Sequence, residues 1–539
     1  MSSSNTEIKS RTPWAWVPSL YFAEGLPYIA IMTISTIMYK SLGVSNTRLA
    51  FYTSLLYLPW VLKPLWSPFV DIYSSKRRWI LSTQFLMAII FSLVSFFITT
   101  DLYFSATICM FWLLAFLSAT HDISADAFYL ISLNEYQQSW FVGIRNTFYR
   151  IAMITGQGGL VMLAGIITMT LGPEQIEVDL SPNKSITIKE NSKLQQKVIK
   201  LKEFTQLAAE NKEAIRSIGL DTNNKTFALF KYPLEHKHLD FFTPKYSISN
   251  KIKGLSNEIY INFTTLKKME LVIISIPTTL TLEKLIHINI YPNNLVFSWS
   301  VIFLTLAILF LILFNYHSYS LPKPQNSEDI IHPTFKECFI SFFKKEKVGI
   351  AILFLLTFRL GESQLVKLAQ PFMLDSQAKG GLELPLSNVG FIYGTVGTIA
   401  LILGGIIGGI LVAKYGLRKL FFIMALSMNI PNILYWVMAY YQPQDTYLIN
   451  LFVALEQFGY GFGFTAFTLF MVDFVDDSER FRASHFAIMT GFMALGMMLP
   501  MMLSGYIQSI IGYQHFFLWV MLLTIPGFFI IKHLPIKRN

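Results

Sequence analysis

The residues best able to do chemistry sit where a charge is expensive to keep. The run Phe116-Leu-Ser-Ala-Thr-His121-Asp122-Ile-Ser-Ala-Asp126-Ala-Phe-Tyr129 places two aspartates and a histidine inside a long apolar stretch. A charge at the bilayer centre costs at least about 2.5–3.5 kcal/mol on insertion scales, so a helix that keeps such groups uses them. Asp122 and Asp126 are four residues apart and share one helix face, which must look into protein or a wet cavity. Two neighbouring carboxylates shielded from lipid can take a proton on one side and release it on the other. The bland alternative is a structural ion pair with Lys63, Arg145 or Arg150. His121 titrates near neutral pH and is a candidate for a proton relay or a substrate contact. A lone helical histidine is more often a hydrogen-bonded packing residue.

Other polar groups recur at helical spacing. Tyr21, Glu24 and Tyr28 fall at i, i+3 and i+7 and form one stripe. Aromatic faces stack on sugar rings and a carboxylate accepts hydroxyl or amide hydrogen bonds, so the stripe is a candidate binding surface, with helix packing as the alternative. Glu24 and Glu362 join the two aspartates as candidates for proton coupling. The run Phe358-Arg-Leu-Gly-Glu-Ser-Gln-Leu-Val-Lys-Leu-Ala-Gln-Pro371 holds Arg359, Glu362, Gln364 and Lys367. Arg359 and Glu362 can pair with each other. Lys63, Arg145 and Lys367 can bind substrate carboxylates, and a guanidinium does so with two parallel hydrogen bonds. Glu456 and Gln457 are further candidates on a later helix, while Arg150 can also snorkel to the surface.

These groups need membrane helices to hold them. The 539 residues are 53% hydrophobic and 14% charged, against about 25% charged in soluble domains. Apolar segments of roughly 20 residues cross a bilayer. They predict twelve helices near 14–39, 48–70, 78–99, 103–133, 140–170, 294–316, 347–374, 386–413, 418–441, 447–474, 484–510 and 514–532. The predicted fold is an all-α polytopic membrane protein. Residues 1–170 form helices 1–5, 171–293 an inserted domain, 294–316 helix 6, 317–346 an inter-bundle loop and 347–539 helices 7–12. Lys76-Arg77-Arg78, Lys344-Lys345, Lys347, Lys414, Arg418-Lys419, Arg480, Arg482 and Lys537-Arg538 fall on one side, which the positive-inside rule makes cytoplasmic, with both termini. Lys40, Arg48 and Lys379 are exceptions on the outer side. The net charge of +10 therefore reads as topology, not as affinity for nucleic acid. Residues 171–293 become an extracytoplasmic α+β domain. It has helical periodicity over 191–218 and strand-like runs at Glu258–Phe263, Glu270–Ile276 and Ile286–Tyr291. Asn183, Asn224 and Asn262 head glycosylation-type triplets.

Cys109 and Cys338 fall on different sides of this topology, which argues against a disulfide, and no Cys/His set has metal-ligand spacing. There is no H-E-x-x-H, G-x-S-x-G or Walker motif, so no enzyme and no cofactor is expected. The N-terminus reads without a separate cleavable signal.

Two loops carry a transport signature. Ser67-Pro-Phe-Val-Asp71-Ile-Tyr-Ser-Ser-Lys76-Arg77-Arg78 follows helix 2, and Gly409-Ile-Leu-Val-Ala413-Lys414-Tyr-Gly-Leu-Arg418-Lys419 follows helix 8. Each resembles the G-x-x-x-D-R-x-G-R-R loop of the major facilitator superfamily, with Ser67 in place of the glycine and Ala413 in place of the second acid. Asp71, Arg77, Arg78, Gly409, Lys414 and Arg418 are then candidates for a conformational lock that breaks between states. Glycines of helices 5, 8 and 10 let those helices approach closely. Helix 1 reads Tyr21-Phe22-Ala-Glu24-Gly25-Leu26-Pro27, helix 2 Lys63-Pro64-Leu65-Trp66-Ser67-Pro68-Phe-Val-Asp71 and helix 4 Ser118-Ala-Thr-His121-Asp122-Ile-Ser-Ala-Asp126-Ala. Together they resemble the AmpG muropeptide permeases, with His121 where that family has Gln. The resemblance spans the helices of both halves, weakly in the second, and leaves out 171–293.

The resemblance implies a twelve-helix (6+6) fold in the bacterial inner membrane. It implies proton-driven import of N-acetylglucosaminyl-anhydro-N-acetylmuramyl peptides from periplasm to cytoplasm by alternating access, in a monomer whose partners are the sugar-peptide, protons and the lipid bilayer. The insert is then periplasmic. Transport of another anionic solute, such as acetyl-CoA or an oligosaccharide, is the nearest rival. A cell-wall-binding sensor anchored by its helices is another.

Overall fold

The computed structural model describes residues 12–171, 176–180, 186–189, 225–232, 245–248, 260–266, 269–277, 286–291, 293–322, 335–475 and 482–536. Its contacts divide the chain into a helical unit, Met1–Gly165 with Trp299–Asn539, and a second unit, Ile166–Ser298.

In the helical unit, α1 (Pro13–Ser41) starts at a proline, whose missing N–H costs nothing there. It contains a wide π turn, Ala30–Ile34. Gly43, at φ 80°, ends the connection, and Ser45 caps the next helix by accepting from the Arg48 amide. The single helix predicted for 48–70 is two, α2 (Asn46–Leu55) and α3 (Leu58–Tyr73), parted at Leu56-Tyr57 just before Pro59. α4 (Lys76–Phe97) is capped by Ser75. α5 (Tyr103–Ser132) carries the two aspartates. α6 (Glu135–Met153) opens on a capping box between Asn134 and Gln137, and a π turn, Ile154–Leu160, joins it to α7 (Val161–Leu171).

α8 (Asn293–Ser320) returns to the bundle, and a short helix unforeseen in the loop, α9 (Phe335–Phe343), follows it. The predicted helix 347–374 is α10 (Val348–Thr357) and α11 (Leu360–Leu374), broken at Arg359. Then come α12 (Leu386–Tyr415), α13 (Leu417–Tyr441) and α14 (Thr446–Val475). α15 (Arg482–Ile531) contains Gly512 at φ 73°, where two helices meet. That is the predicted boundary between 510 and 514. Ten helices among the described residues are long and apolar enough to cross a membrane, the last running from Ser484 through this kink to Ile531.

Glycine patterning explains the packing. On α12 the large residues Ile399, Leu403, Ile406 and Ile410 are exposed. The opposite face brings Gly404 against the α14 backbone, where a Cβ would lie 2.1 Å from the Phe458 carbonyl. An apolar exposed stripe of this size marks a surface meant for lipid. Inside, Phe354, Phe358, Phe421, Phe467 and Phe470 form one aromatic core, and Trp16, Tyr21, Phe128 and Tyr129 belong to another.

The second unit holds two antiparallel sheets: β2 (Ile186–Lys189), β1 (Ile176–Leu180), β7 (Ile286–Tyr291) and β4 (Lys245–Ile248) in that order, and β3 (Lys225–Tyr232), β6 (Met269–Pro277) and β5 (Tyr260–Leu266). Val178 stands opposite Ile188 on one side and Ile288 on the other. The three expected strand runs coincide with β5, β6 and β7. β1 to β4 are additional to the expected runs. The helical stretch 191–218 and the triplets at Asn183 and Asn224 lie outside the described residues, and Asn262 falls in β5.

Candidate functional site

The α5 face predicted from the four-residue spacing meets α1, α3 and α6. Lys63 Nζ lies 2.5 Å from Asp122 Oδ2. Arg145 Nη2 lies 3.1 Å from Asp126 Oδ1, and the Tyr21 hydroxyl donates to the same oxygen at 3.1 Å. The Arg145 guanidinium also stacks 4.6 Å from the Tyr21 ring centroid and 5.3 Å from that of Tyr129. Both ion pairs expected as the bland alternative are therefore present. They do not complete the site. Carboxylate oxygens of Glu24, Asp122 and Asp126 all lie within 4.8 Å of one another. Two unit charges at that spacing repel by about 3 kcal/mol at an effective dielectric near 20. Glu24 Oε2 is buried with no hydrogen-bond partner among the described residues, and so is Arg145 Nε. The side chains of Asp122 and Asp126 are 20% and 39% exposed, which leaves the cluster reachable.

Gly25 makes this approach possible. A Cβ there would lie 2.8 Å from the Ala152 side chain and 3.0 Å from the Tyr149 carbonyl, so any other residue would push α1 off α6. One turn along the predicted stripe, Tyr28 leaves the acids. Its hydroxyl is 3.2 Å from that of Tyr57, and its ring meets Trp60 at 5.3 Å and Tyr149 at 6.5 Å. These rings give an aromatic wall beside a charged patch, as sugar binding requires.

The C-terminal helices place their charges differently. Arg359, at the α10–α11 break, grips Glu362 with two bonds, Nε to Oε2 at 2.7 Å and Nη2 to Oε1 at 3.1 Å. The Tyr460 hydroxyl accepts from Nη2 at 2.7 Å, and the Phe464 ring lies 5.0 Å away. Both side chains are at most 3% exposed. Gln457 donates to Glu456 Oε2 at 2.9 Å and lies 3.1 Å from the Tyr393 hydroxyl, while Glu456 Oε1 and Gln364 Oε1 are buried without partners among the described residues. Lys367 is 4% exposed. It donates to Thr36 Oγ1 of α1 at 3.2 Å and has no carboxylate within ion-pair distance among the described residues. The bond from Lys367 of α11 to Thr36 of α1 sets the two groups of helices against one another here. Arg150 lies beside Gly405 of α12, 3.7 Å from where a side chain would start there, instead of reaching for the surface.

His121 turns away from this face. Its Nε2 is 2.9 Å from the Gln84 amide, whose other end is 2.9 Å from His317 Nδ1, and His317 Nε2 is 2.9 Å from Ser19 Oγ. Exchanging the Gln84 amide oxygen and nitrogen gives every donor in the chain an acceptor, ending at the Trp16 carbonyl. The histidine is a member of a buried polar network joining α5, α4, α8 and α1.

Of the predicted lock residues, Asp71's side chain lies outside the described residues. Arg77 donates to the Ser318 carbonyl at 2.5 Å. Arg78, Lys414 and Arg418 are exposed, and nothing lies within 4 Å of a side chain built on Gly409. A buried polar contact between distant helices lies at the C-terminal end of α1. Lys40 Nζ lies 2.5 Å from Asp375 Oδ2, just past α11, and donates to Asn46 Oδ1 at 2.7 Å. Asn46 Nδ2 reaches Gln508 Oε1 at 2.9 Å, and the Tyr513 hydroxyl donates to Asp375 at 2.7 Å. Only glycine fits at 505, where a Cβ would lie 2.0 Å from the Asn46 carbonyl. Burial alone would raise the Asp375 carboxyl. The Lys40 ammonium, together with hydrogen bonds from Lys40 and Tyr513, outweighs burial and holds it below the ordinary carboxylate range. Below this clasp the π turns of α6–α7 and α12 touch, a Cβ on Gly394 lying 2.2 Å from the Gly158 nitrogen, and Gln157 donates to Thr398 at 2.7 Å. The signal in the sequence was Lys40 itself, a cation on the wrong side for the positive-inside rule.

Comparison with known proteins agrees with this architecture. Residues 23–164 match the BT1 family. The chain is 28% identical over 251 residues to a putative transporter AmpG 2 of Rickettsia typhi, covering 45% of this chain and 58% of that protein. It is 23% identical over 208 residues to the anhydromuropeptide permease of Escherichia coli, covering 39% of this chain and 40% of that one. The chain thus matches about half the length of these relatives. Among solved structures, the nucleoside transporter NupG superposes with a TM-score of 0.58 at 12% identity, covering 98% of this chain and all of that one. A bacterial homologue of the lysosomal transporter Spinster, inward-facing and unoccupied, gives 0.55 at 11%, covering 96% of each. The fold is that of major facilitator transporters, in a multi-pass membrane protein similar to AmpG-type permeases. These relatives and neighbours are transporters, not enzymes.

Proposed function

We propose that this chain is a proton-coupled transporter that imports anhydro-muropeptides from periplasm to cytoplasm across the bacterial inner membrane by alternating access. The observation that carries the reading is the half-open cluster of Glu24, Lys63, Asp122, Asp126 and Arg145 beside the Tyr28–Tyr57–Trp60–Tyr149 wall. Rings stack on sugars, and cations held by replaceable counter-ions can change partner to a peptide carboxylate. Lys367, without an acidic partner among the described residues, is a second cation for the same purpose, with Gln364, Glu456 and Gln457 as polar neighbours. The proton path runs through the acids of the open cluster, Glu24, Asp122 and Asp126, while Glu362, gripped by Arg359, is left out of it. Arg359 braces α11.

In this reading twelve spans, 6+6, rock about the site in a monomer with both termini cytoplasmic and the Ile166–Ser298 unit periplasmic. The Lys40–Asp375 clasp closes the periplasmic end, and Asp71, Arg77, Arg78, Gly409, Lys414 and Arg418 serve the cytoplasmic end in the other state. The similarity to the E. coli permease supports the substrate class, and the charge pattern supports the coupling.

The test is uptake of labelled N-acetylglucosaminyl-anhydro-N-acetylmuramyl tripeptide in cells that lack their own permease. Expression of this chain should restore accumulation, and an uncoupler should collapse it. Restoration of acetyl-CoA or plain oligosaccharide uptake instead would replace the substrate while keeping the transporter. Deleting 171–293 should leave some uptake; complete loss there would favour a sensor.

A further inference from the structure

The half-open cluster contains three carboxylates and two cations, so with all five ionised it carries one negative charge too many. The distribution of that excess is uneven. Asp122 holds Lys63 at 2.5 Å, and Asp126 holds Arg145 and the Tyr21 hydroxyl, each at 3.1 Å. Glu24 is 9% exposed, its Oε2 has no partner among the described residues, and it stands within 4.8 Å of both aspartates. A buried carboxylate against two others, with an oxygen left unpartnered among the described residues, is the member of the set whose charge is least supported.

We propose that Glu24 carries the coupling proton, and that Asp122 and Asp126 are counter-ions that hold Lys63 and Arg145 ready for the substrate. This rests on the proton-driven reading above and assigns the proton within it. The groups facing Glu24 are Tyr21 on its own helix, Lys63 from α3, Asp122 and Asp126 from α5, and Arg145 and Tyr149 from α6. A proton from the outer side makes Glu24 neutral, and the five-group set then balances. A substrate carboxylate can displace an aspartate from Arg145 or Lys63 without adding to an existing excess. When the site opens inward, Glu24 gives its proton to water. The carboxylate then repels the bound anion and competes for the same cations, which drives release. One O–H bond is made on one side of the membrane and one is broken on the other, with no net chemistry on the protein.

Two measurements test this. Infrared difference spectra of the full-length protein in liposomes, wild type against Glu24→Gln at neutral pH and without substrate, should show the C=O stretch of a protonated carboxyl lost in the variant. The same comparison with Asp126→Asn should show no such loss. The second is transport of the labelled tripeptide. Glu24→Gln should reduce accumulation against a gradient about tenfold more than it reduces exchange at equal pH (about 1.4 kcal/mol of lost coupling), and Glu24→Asp should restore part of it. A protonated-carboxyl band unchanged in Glu24→Gln, or uncoupler-sensitive accumulation surviving in that variant, overturns the assignment. Wild-type uptake that ignores uncouplers but follows a sodium gradient overturns the proton-driven reading and the assignment with it, and the infrared arm then reports which residue was protonated at rest.

Discussion

In the N-terminal helices three carboxylates share two cations, and in the C-terminal helices Arg359 and Glu362 meet one to one. The first set is reachable, with Asp126 39% exposed, and includes a carboxylate oxygen without a partner among the described residues. The second is at most 3% exposed and closed by two parallel bonds and a tyrosine. A buried ion pair recovers its desolvation only when geometry is good and the remaining donors are met, and Arg359 satisfies that condition. A cluster that is open and out of balance instead keeps groups free to change partner. Under the function proposed above, the difference teaches that charge within a membrane bundle has two uses, separated by stoichiometry and exposure: the balanced pair braces, and the unbalanced set works.

The sharpest way to break this comparison is at the brace. Arg359→Ala leaves Glu362 buried and unpaired, which should cost about 3–5 kcal/mol of stability and appear as lost yield and a lower melting temperature in detergent. Replacing both partners, Arg359→Met with Glu362→Gln, should recover most of that stability. At the working cluster the expectation reverses. Asp122→Asn should fold nearly as well as wild type yet lower proton-driven uptake about a hundredfold, equivalent to about 2.7 kcal/mol, with the combined Asp122→Asn, Asp126→Asn protein inactive. Undiminished accumulation in the double variant, or melting that falls as far as in Arg359→Ala, would erase the distinction.

The clasp is an intermediate case, since it is buried like the brace but, in the alternating-access mechanism proposed above, joins helices that separate. Asp375→Asn should favour the outward-open form. Thr36→Cys, in a background with Cys109 replaced by Ser, should then react several-fold faster with a membrane-impermeant maleimide from outside. The pH dependence has a definite sign. Asp375 titrates below its unfolded value of about 3.9, so its contribution is complete above about pH 4 and is lost as pH falls through the lower folded value. The labelling rate of the Thr36→Cys protein, divided at each pH by that of the unfolded protein to remove the thiolate dependence, should be flat from pH 8 to about 5 and rise only in stronger acid. A rise at mildly acidic pH would mean that another group controls this end.

The site was legible where local spacing decides. Asp122 and Asp126 lie on one face because 3.6 residues make a turn, and the two pairs they form were among the alternatives that spacing allowed. Arg359 and Glu362 meet across i, i+3 for the same reason. The clasp was not legible as a unit: Lys40 and Asp375 are brought together only by the packing of distant helices, and Gln508 and Tyr513 come from the helix bent at Gly512. The break before Pro59 has a cause in the sequence, whereas the break at Arg359 follows from the grip on Glu362, which no propensity records. The strands β1, β2 and β4 have only four or five residues, so pairing with β7 or with one another makes them strands more than their own pattern does.

His121 gives the smallest effect and the finest test of where the working face ends. It neighbours Asp122 in sequence, but one residue along a helix turns a side chain by about 100°, which takes the imidazole to Gln84 and His317. His121→Gln keeps a side chain able to hydrogen-bond Gln84 and should cost about 1 kcal/mol, the worth of one imperfectly replaced hydrogen bond. It should leave the KM for tripeptide within about twofold and the pH profile of uptake unmoved. His121→Leu strands the Gln84 amide in the interior and should cost about 1–3 kcal/mol, again without a change in pH profile. A shifted profile in His121→Gln at unaltered stability would extend the working face around α5 to the histidine, and the boundary between the network that holds the helices and the cluster that serves the substrate would have to be redrawn through Gln84.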